Sequence, residues 1–389
     1  MFAPWAILGA VIACAIAEHQ VPNKSITVDP ATTLVMFGTR HGNRNPEVFL
    51  EQNPRSWGQE GSTELTSIGK RQAYGLGKAI REFIGDKVSR NFKPDEAKYF
   101  SSSANRCQMT LQAATAGIHT PEKWGDWKTD RFDDWSPVPY NIEDPILRMY
   151  AVTKCKKNEE AWKEIDTDTM PHLAKIKEEK KELLDYMAKN TGWNMSSLGK
   201  AADVADNIIE IELFKEPLPQ WISKPTLPGY TGETMRKAIL EFAEIHQNAC
   251  AEHKYCGKLM ACYWLSKVLE ELEKKNKGKS NLKLIGYASH TEITLSLMKL
   301  MGVMKDELTT SAGFVIEYKP TPVPSVRLLN HDPNPIDEHV IYKAEYAPEL
   351  QAKADANGWV PLADFDALIR PKACKDWHHE CGADECSKS

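Results

Sequence analysis

The sequence lacks an excess of basic residues. Its 389 residues include 49 lysines and arginines against 54 aspartates and glutamates, which gives a formal net charge of -5. A general nucleic-acid binder needs a basic surface that displaces counterions from phosphates, so the charge argues against this class of function. Charged runs such as KIKEEKKELL mix both signs at helical spacing and indicate solvated helix faces.

The sequence also lacks a long apolar run after its start, and it has no repeat or low-complexity tract. The first apolar stretch is too short to span a bilayer and ends in Ala15-Ile16-Ala17, a small-x-small cleavage signal, although no Lys or Arg precedes it. We therefore expect a signal peptide over residues 1–17, cleavage before Glu18, and a secreted, extracellular product without a membrane anchor. Asn23-Lys24-Ser25 and Asn194-Met195-Ser196 match the pattern of glycosylation acceptors.

Cysteine is scarce, and eight of the nine cysteines remain once Cys14 leaves with the signal peptide. An even number in an oxidising compartment favours disulfides, although the spacing does not choose among the many pairings. His378 and His379 lie among three C-terminal cysteines, which could indicate zinc, but export favours disulfides there. We expect no metal and no other cofactor. The eight cysteines are Cys107, Cys155, Cys250, Cys256, Cys262, Cys374, Cys381 and Cys386.

Strand and helix patterns alternate near both ends of the chain. An apolar run from Leu34 to Phe37 breaks at Gly38 and predicts a buried strand. The segment ELTSIGKRQAYGLGKAIREFIG places its apolar residues on one helical stripe and ends at Gly85, a typical C-cap residue. AKYFSSSANRCQMTLQ predicts a strand, a turn and a helix. A further strand over Leu282 to Tyr287 precedes another amphipathic helix, and AGFVIEY, VRLLNHD and HVIYKAEY resemble later strands.

The middle of the chain has a different character. Residues 124–239 are rich in tryptophan and proline, continue into charged helical segments and contain no convincing strand. We predict an α/β fold with an open, mainly parallel sheet and flanking helices, plus an inserted, mostly helical lobe. The cleft between the lobes is the expected site. The predicted boundaries are 18–123 and 240–389 for the α/β lobe and 124–239 for the inserted lobe.

Two distant strands are each followed by a histidine, and arginines accompany the first. Arg40, His41 and Arg44 belong to the pattern RHGxRxP, Arg106 opens a helix, and His290 follows the later strand. In open α/β sheets, ligands bind outside the carboxyl ends of the strands, so we expect these side chains to converge. Three guanidiniums suit a tetrahedral oxyanion, and a histidine among them can attack phosphorus. This chemistry needs no water-activating metal.

These motifs give the chain a specific resemblance. The sequence resembles the histidine acid phosphatase family over nearly the whole mature chain. RHGxRxP is the specific motif, and ELTSIGKRQAYGLG, ANRCQMTLQ, DWSPVPY and TLPGY support it by their order. The resemblance implies a phosphomonoester hydrolase in which His41 becomes phosphohistidine. It also implies that the phosphate is bound by Arg40, Arg44, Arg106 and His290.

The chain departs from the family pattern directly after His290. Thr291 stands where the family usually has an aspartate that protonates the leaving group, and a threonine hydroxyl holds its proton too tightly for this role. Glu292 follows, and some family members carry an acid there, but adjacent helix positions differ in direction by roughly 100°. The structural alternative for Glu292 is a first-turn acid that the helix dipole favours. We therefore expect Thr291→Asp to raise hydrolysis of alkyl phosphates and Glu292→Ala to change it little.

Two functions of different class follow from this departure. The favoured one is a catalytically impaired protein that sequesters small mediators, biogenic amines such as serotonin or leukotrienes, as the resemblance to secreted acid-phosphatase-like proteins of insect venom and saliva implies. The alternative is an active secreted acid phosphatase with Glu292 as the proton donor. Either way the partner is a small molecule, not a nucleic acid or a membrane, and the oligomeric state stays open. Aromatic residues that could hold an indole or a cation are Trp124, Trp127, Trp135 and Tyr140.

Overall fold

The computed structural model describes residues 22, 24–51, 60–127, 135–151 and 154–381. Within these residues eight strands form one sheet. The signal peptide, Glu18, Asn23 and Cys386 of the sequence analysis lie outside the described residues. The strands are β1 (Leu34–Arg40), β2 (Ala97–Ser101), β3 (Asn141–Ile142), β4 (Leu284–Ser289), β5 (Gly313–Lys319), β6 (Ser325–Pro333), β7 (His339–Lys343) and β8 (Trp359–Pro361).

The sheet has a parallel half and an antiparallel half. Its order is β3-β2-β4-β1-β5-β6-β7, with β8 paired to β6. Strands β1 to β4 pair in parallel, whereas β5 joins β1 antiparallel and β6, β7 and β8 continue in that sense. The prediction of an α/β fold on an open sheet with flanking helices is confirmed, and the structure adds the antiparallel edge.

Helices cover both faces of the sheet. Those of the described residues are α1 (Ser67–Ile84), α2 (Asn105–Ile118), α3 (Asp144–Leu147), α4 (Lys156–Asp166), α5 (Pro171–Glu179), α6 (Lys181–Thr191), α7 (Leu198–Leu213), α8 (Gln220–Ser223), α9 (Gly232–Leu240), α10 (Ile245–Glu252), α11 (Lys254–Asn276), α12 (Thr291–Leu300), α13 (Pro348–Gln351), α14 (Leu362–Ile369) and α15 (Trp377–Glu380). No helix in this part of the chain has the length and hydropathy needed to cross a membrane.

The bounds of α1 follow from its caps. The Thr66 hydroxyl accepts a hydrogen bond from the Gly69 N–H, which satisfies one of the free donors at the helix start. At the other end Gly85 has φ of 52°, a backbone conformation that glycine adopts at little cost. The predicted end of this helix at Gly85 is therefore confirmed.

Strand β1 is buried on both faces and separates two hydrophobic cores. Val35 and Phe37 belong to the core under α1 and α2, whereas Leu34 and Met36 belong to the core on the opposite face. This division follows from the alternation of side chains along a strand. The second core also contains apolar residues of α7, α11 and α12, so helices from the middle of the chain pack in one core with the sheet.

Two strand predictions need correction. The strand expected over Leu282 to Tyr287 runs instead over Leu284–Ser289, because β4 pairs residue by residue with β1 until Ser289 stands opposite Arg40. The middle of the chain, expected to lack strands, contributes Asn141–Ile142 at the edge of the sheet. Both residues of this strand are exposed, so no apolar pattern marks it.

Three disulfides tie the helices of the described residues together. Cys155 pairs with Cys381, Cys250 with Cys256, and Cys262 with Cys374, which confirms the prediction of disulfides. Cys107, which was expected to pair as well, is a buried free thiol. It lies on α2 against the sheet, where its sulfur contacts the Ser289 carbonyl at 3.3 Å.

His119 is a buried histidine at the end of α2. Its Nδ1 donates to the Arg90 carbonyl at 2.9 Å, and its Nε2 accepts from the Tyr99 hydroxyl at 2.6 Å. Because one ring nitrogen donates and the other accepts, this pair of hydrogen bonds requires the neutral imidazole. Burial lowers the pKa of His119 to about 4, outweighing the hydrogen bond to the Arg90 carbonyl, which favours the charged form.

The free energy of unfolding should therefore decrease as the solution is made more acidic. Below about pH 6.5 the unfolded chain takes up a proton at His119, whereas the folded chain does not. The stability that is present above this pH is lost as the pH falls towards about 4, by roughly 3 kcal/mol in total. Urea unfolding at about pH 7 and at about pH 5 measures this decrease. The free energy of unfolding should decrease less between the two pH values in His119→Gln than in the parent protein. The control is His172→Gln, because His172 is exposed on α5. Equal losses in all three proteins would contradict the prediction.

Candidate active site

The two histidines of the sequence analysis are neighbours at one edge of the sheet. Parallel strands β1 and β4 end level with each other, Arg40 opposite Ser289, so His41 and His290 leave the sheet side by side. The His41 N–H donates to the Ser289 carbonyl at 3.0 Å. The two imidazole rings lie edge to face with their centroids 5.7 Å apart.

His41 is held as a neutral ring with one free nitrogen. Its Nδ1 lies 2.9 Å from the Gly42 carbonyl, an acceptor, so Nδ1 carries the proton and Nε2 keeps its lone pair. Burial, followed by the charges of Arg106 and Arg40, holds the pKa of His41 well below its usual value. An unprotonated Nε2 is the form that can act as a nucleophile.

Gly42 explains one fixed position of the RHG motif. A Cβ at Gly42 would lie 2.4 Å from the Gly69 carbonyl oxygen, on the first turn of α1. The loop therefore packs backbone to backbone on α1, and a larger residue would displace it. Gly42 thus sets the position of the loop that carries His41 and Arg44.

Arg106, in the first turn of α2, contacts His290. Its Nη2 lies 3.2 Å from His290 Nδ1, and His290 Nε2 lies 3.0 Å from the Ser102 hydroxyl. The guanidinium can only donate, so Nδ1 accepts and Nε2 carries the proton. Burial and the Arg106 charge lower the pKa of His290 well below its usual value.

Arg40 and Arg44 are each paired with a carboxylate that the sequence analysis missed. Arg40 forms an ion pair with Glu244 and donates to the Leu308 carbonyl at 2.7 Å. Arg44 donates to Asp206 at 2.9 Å. Asp206 comes from α7 and Glu244 immediately precedes α10, more than a hundred residues along the chain, so no local pattern could connect them with the motif.

Thr291 and Glu292 begin α12 and point to different partners. Burial opposes ionisation of Glu244, but the charges of Arg40 and Arg44, helped by the Thr291 side chain, lower the pKa of this carboxyl group. Glu292 is 8% exposed and accepts a hydrogen bond from the Tyr150 hydroxyl at 3.0 Å. The Tyr150 ring centroid lies 6.4 Å from that of His290. Tyr150 therefore links Glu292 to the surroundings of His290. Burial raises the pKa of Glu292, so its carboxyl group keeps its proton to higher pH than a free glutamate.

Tyr150 is the aromatic residue beside the histidines, and the sequence analysis did not single it out. Trp127 and Trp135 contact each other at the surface with their rings tilted by 55°, and the Trp127 indole N–H donates to the Trp135 carbonyl at 2.7 Å. Tyr140 hydrogen bonds with Gln108 on α2. The side chain of Trp124 lies outside the described part of the structure.

The six site residues of the sequence analysis thus meet in one place. Two histidines end parallel strands, three guanidiniums surround them, and a buried acid follows, an arrangement that suits phosphoryl transfer through a histidine. The family model that matches residues 32–315 is that of the histidine phosphatase superfamily, branch 2, and the chain belongs to this family.

Acid phosphatases are among the similar curated proteins. Prostatic acid phosphatase from Bos taurus is 23% identical over 354 residues, which cover 88% of this chain and 85% of the relative. Lysosomal acid phosphatase from Homo sapiens is 24% identical over 352 residues, which cover 88% of this chain and 78% of the relative. The family and these relatives make this a histidine acid phosphatase-like protein.

Solved structures with the same fold include a phytase and a multiple inositol polyphosphate phosphatase. Hafnia alvei phytase in complex with myo-inositol hexakis sulphate matches with a TM-score of 0.67 and 13% identity, covering 91% of this chain and 99% of the phytase. Bifidobacterium longum multiple inositol polyphosphate phosphatase in complex with inositol hexasulfate matches with a TM-score of 0.53 and 12% identity, covering 91% and 98%. At this identity the likeness shows the fold alone.

Proposed function

We propose that the protein hydrolyses phosphomonoesters through a phosphohistidine at His41, with Glu292 as the proton donor. The observation that carries this proposal is the buried Glu292 carboxyl group, hydrogen bonded to Tyr150 beside His290. Glu292 stands one position after Thr291 on α12, and its hydrogen bond to Tyr150 supports its assignment as the acid that Thr291 cannot supply.

The first chemical step forms a phosphorus–nitrogen bond. The lone pair of His41 Nε2 attacks phosphorus, the ester oxygen–phosphorus bond breaks, and Glu292 gives its proton to the departing alkoxide. Arg40, Arg44 and Arg106 stabilise the charge that develops on the non-bridging oxygens. The Gly42 carbonyl accepts from Nδ1 of His41 and so stabilises the ring as it becomes cationic.

The second step returns the enzyme to its starting state. A water molecule attacks phosphorus opposite His41, gives a proton to the Glu292 carboxylate, and breaks the phosphorus–nitrogen bond. Inorganic phosphate leaves, His41 regains its lone pair and Glu292 regains its proton. Glu292 can act as acid and then as base because the same group serves both steps.

Capture of a small mediator without turnover, such as a biogenic amine or a leukotriene, is the second candidate. One observation favours it: Arg40 and Arg44, which would bind the phosphate, are already paired with Glu244 and Asp206. These internal pairs weaken the pull of two guanidiniums on an incoming phosphate. The catalytic proposal is preferred because each guanidinium has five N–H donors and can hold a carboxylate and a phosphate together.

The two candidates differ in one assay. We expect 4-nitrophenyl phosphate at acidic pH to give steady turnover, with phosphate and nitrophenol released in equal amounts. In parallel, calorimetry with a serotonin-like amine and a cysteinyl leukotriene measures capture by the same preparation. Absence of turnover together with tight binding of either mediator would overturn the catalytic proposal in favour of capture.

We also infer that the protein is exported. Three disulfides support this inference, because disulfides persist mainly in oxidising compartments. Asn194, in one of the two acceptor triplets, is exposed between α6 and α7, where a glycan would meet solvent.

A further inference from the structure

A fourth guanidinium, that of Arg148, lies on the Tyr150 side of the site. Arg148 directly follows α3, and its Cζ lies 5.9 Å from the centroid of the Tyr150 ring. Its Nη1 lies 3.5 Å from the hydroxyl of Ser103. The preceding residue, Ser102, has its hydroxyl 3.0 Å from Nε2 of His290. The sequence analysis did not single out Arg148, which is therefore an additional cation at the edge of the site.

The charge of Arg148 acts on the second histidine of the site. Burial lowers the pKa of His290, and the charges of Arg106 and Arg148 lower it further. The charges of Arg40 and Arg44 have a smaller effect on the same ring. Because the interaction between charges weakens with their separation, this order agrees with the short path from Arg148 to His290 through Ser103 and Ser102.

The charge of Arg148 is not balanced by an acid. Arg40 and Arg44 are each paired with a carboxylate, whereas Arg148 forms no ion pair with any acid in the described part of the chain. Asp144, the acid nearest to it in the sequence, accepts a hydrogen bond from the Ser103 N–H at 2.7 Å. Arg148 is half-buried, and a guanidinium has five N–H donors, so donors remain for the oxygens of a ligand.

Arg148 also borders the place where the leaving alcohol must lie. Glu292, which gives its proton to the ester oxygen in the proposed mechanism, accepts from the Tyr150 hydroxyl at 3.0 Å. The alcohol therefore departs next to Glu292 and Tyr150, and Arg148 lies against the ring of the same tyrosine. The Tyr150 side chain is 36% exposed, so this side of the site is open to solvent. An anionic group on the alcohol can reach Arg148 there.

We propose that Arg148 is a specificity-determining residue that favours phosphomonoesters whose alcohol carries a carboxylate group, the phosphates of short hydroxy acids. The inference rests on the proposed function, because it assigns a substrate class to the same site. The guanidinium binds the planar carboxylate through two N–H donors while Glu292 protonates the ester oxygen. One guanidinium balances the single charge of a carboxylate but not the nearly two charges of a second phosphate.

Three phosphates with the same three-carbon chain test this specificity: 3-phosphooxypropanoate, propyl phosphate and 3-aminopropyl phosphate. Their affinities are measured by calorimetry at about pH 6, where the carboxylate is ionised. The protein is His41→Ala, which cannot turn them over. We expect the carboxylate compound to bind roughly tenfold more tightly than propyl phosphate and the amino compound to bind least tightly. These differences should shrink in about 0.5 M salt, because salt screens exposed charges.

Three variants in the His41→Ala background locate the effect through the ratio of the affinities for the carboxylate compound and propyl phosphate. Arg148→Gln should lower this ratio roughly tenfold, to near one, whereas Arg148→Lys keeps the charge without the planar fork and should lower it only about threefold. Arg370→Gln removes the same charge from an exposed ion pair with Asp366, outside the site, and should leave the ratio unchanged.

Each ratio compares two ligands on one protein, so partial loss of folded protein does not change it. A ratio near one in His41→Ala, or an equal decrease of the ratio in Arg148→Gln and Arg370→Gln, would overturn the inference.

The design separates this inference from the proposed function. Hydrolysis of propyl phosphate by the parent protein tests the function, whereas the ratio of affinities in His41→Ala tests the role of Arg148. A parent protein that hydrolyses propyl phosphate, combined with a ratio near one, leaves the function standing and rejects the specificity. The reverse result, a ratio near ten that depends on Arg148 without any hydrolysis, supports the specificity of binding and rejects the function.

Discussion

Replacement of His41 by alanine is expected to lower the hydrolysis of 4-nitrophenyl phosphate by at least about 10⁴-fold. The reason is that no covalent intermediate can form without Nε2, and loss of a nucleophile removes most of the catalysis that the other groups support. The fold should survive, because His41 makes one side-chain hydrogen bond and that bond is to its neighbour Gly42.

The measurement has two parts. The first is steady-state turnover of the nitrophenyl ester. The second is a quench with radiolabelled substrate, in which the parent should yield a phosphoprotein that is stable in alkali and labile in acid, as a phosphoramidate is. His172→Ala, an exposed substitution on α5, serves as the matched control. A His41→Ala protein that still forms the labelled adduct would show that another residue is the nucleophile.

Much of this site could be predicted from the sequence because its parts are local. The RHG loop follows a strand that begins with the apolar run Leu34 to Phe37 and is buried throughout, and the carboxyl ends of parallel strands face the same edge of the sheet. The helix that begins near Arg106 can also be predicted from the pattern of the residues next to it. These relations need only the neighbours of each residue in the chain.

The residues that the sequence analysis missed share the opposite property. Asp206, Glu244 and Tyr150 reach the site from the middle of the chain or its border, and nothing in their neighbourhoods distinguishes them from ordinary surface residues. Glu244 has a positive φ of 55°, a conformation that a glutamate sequence context does not signal. Their contacts with Arg44, Arg40 and Glu292 arise from packing, which no spacing rule predicts.

A geometric observation favours Glu292 as the acid. The family pattern places the acid directly after His290, and the rotation between adjacent helix positions meant that Glu292 need not reach the same point. In the structure the Thr291 side chain is near Glu244, the partner of Arg40, while Glu292 accepts a hydrogen bond from Tyr150. Both residues are buried in the first turn of α12, and the carboxyl group stands one position further along this helix than the family pattern has it.

Replacement of Glu292 by glutamine should affect alkyl and aryl esters very differently. An alkoxide is a poor leaving group and needs a proton, so hydrolysis of hexyl phosphate should fall by roughly 10²- to 10⁴-fold. Nitrophenolate leaves without a proton, so formation of the phosphohistidine from 4-nitrophenyl phosphate should fall much less, which a rapid-quench burst measures. Thr291→Ser keeps the hydroxyl group beside Glu244 and serves as the matched control.

The pH dependence tests the same role independently of the leaving group. Burial raises the pKa of Glu292, so the acid form persists to higher pH, and hexyl phosphate hydrolysis should decline as the pH rises through that pKa. The Tyr150 hydroxyl opposes burial by stabilising the carboxylate, so Tyr150→Phe should move this decline to still higher pH. A group that merely supports the fold would not move the profile. Equal losses for both esters in Glu292→Gln, with an unmoved profile in Tyr150→Phe, would mean that the proton comes from elsewhere.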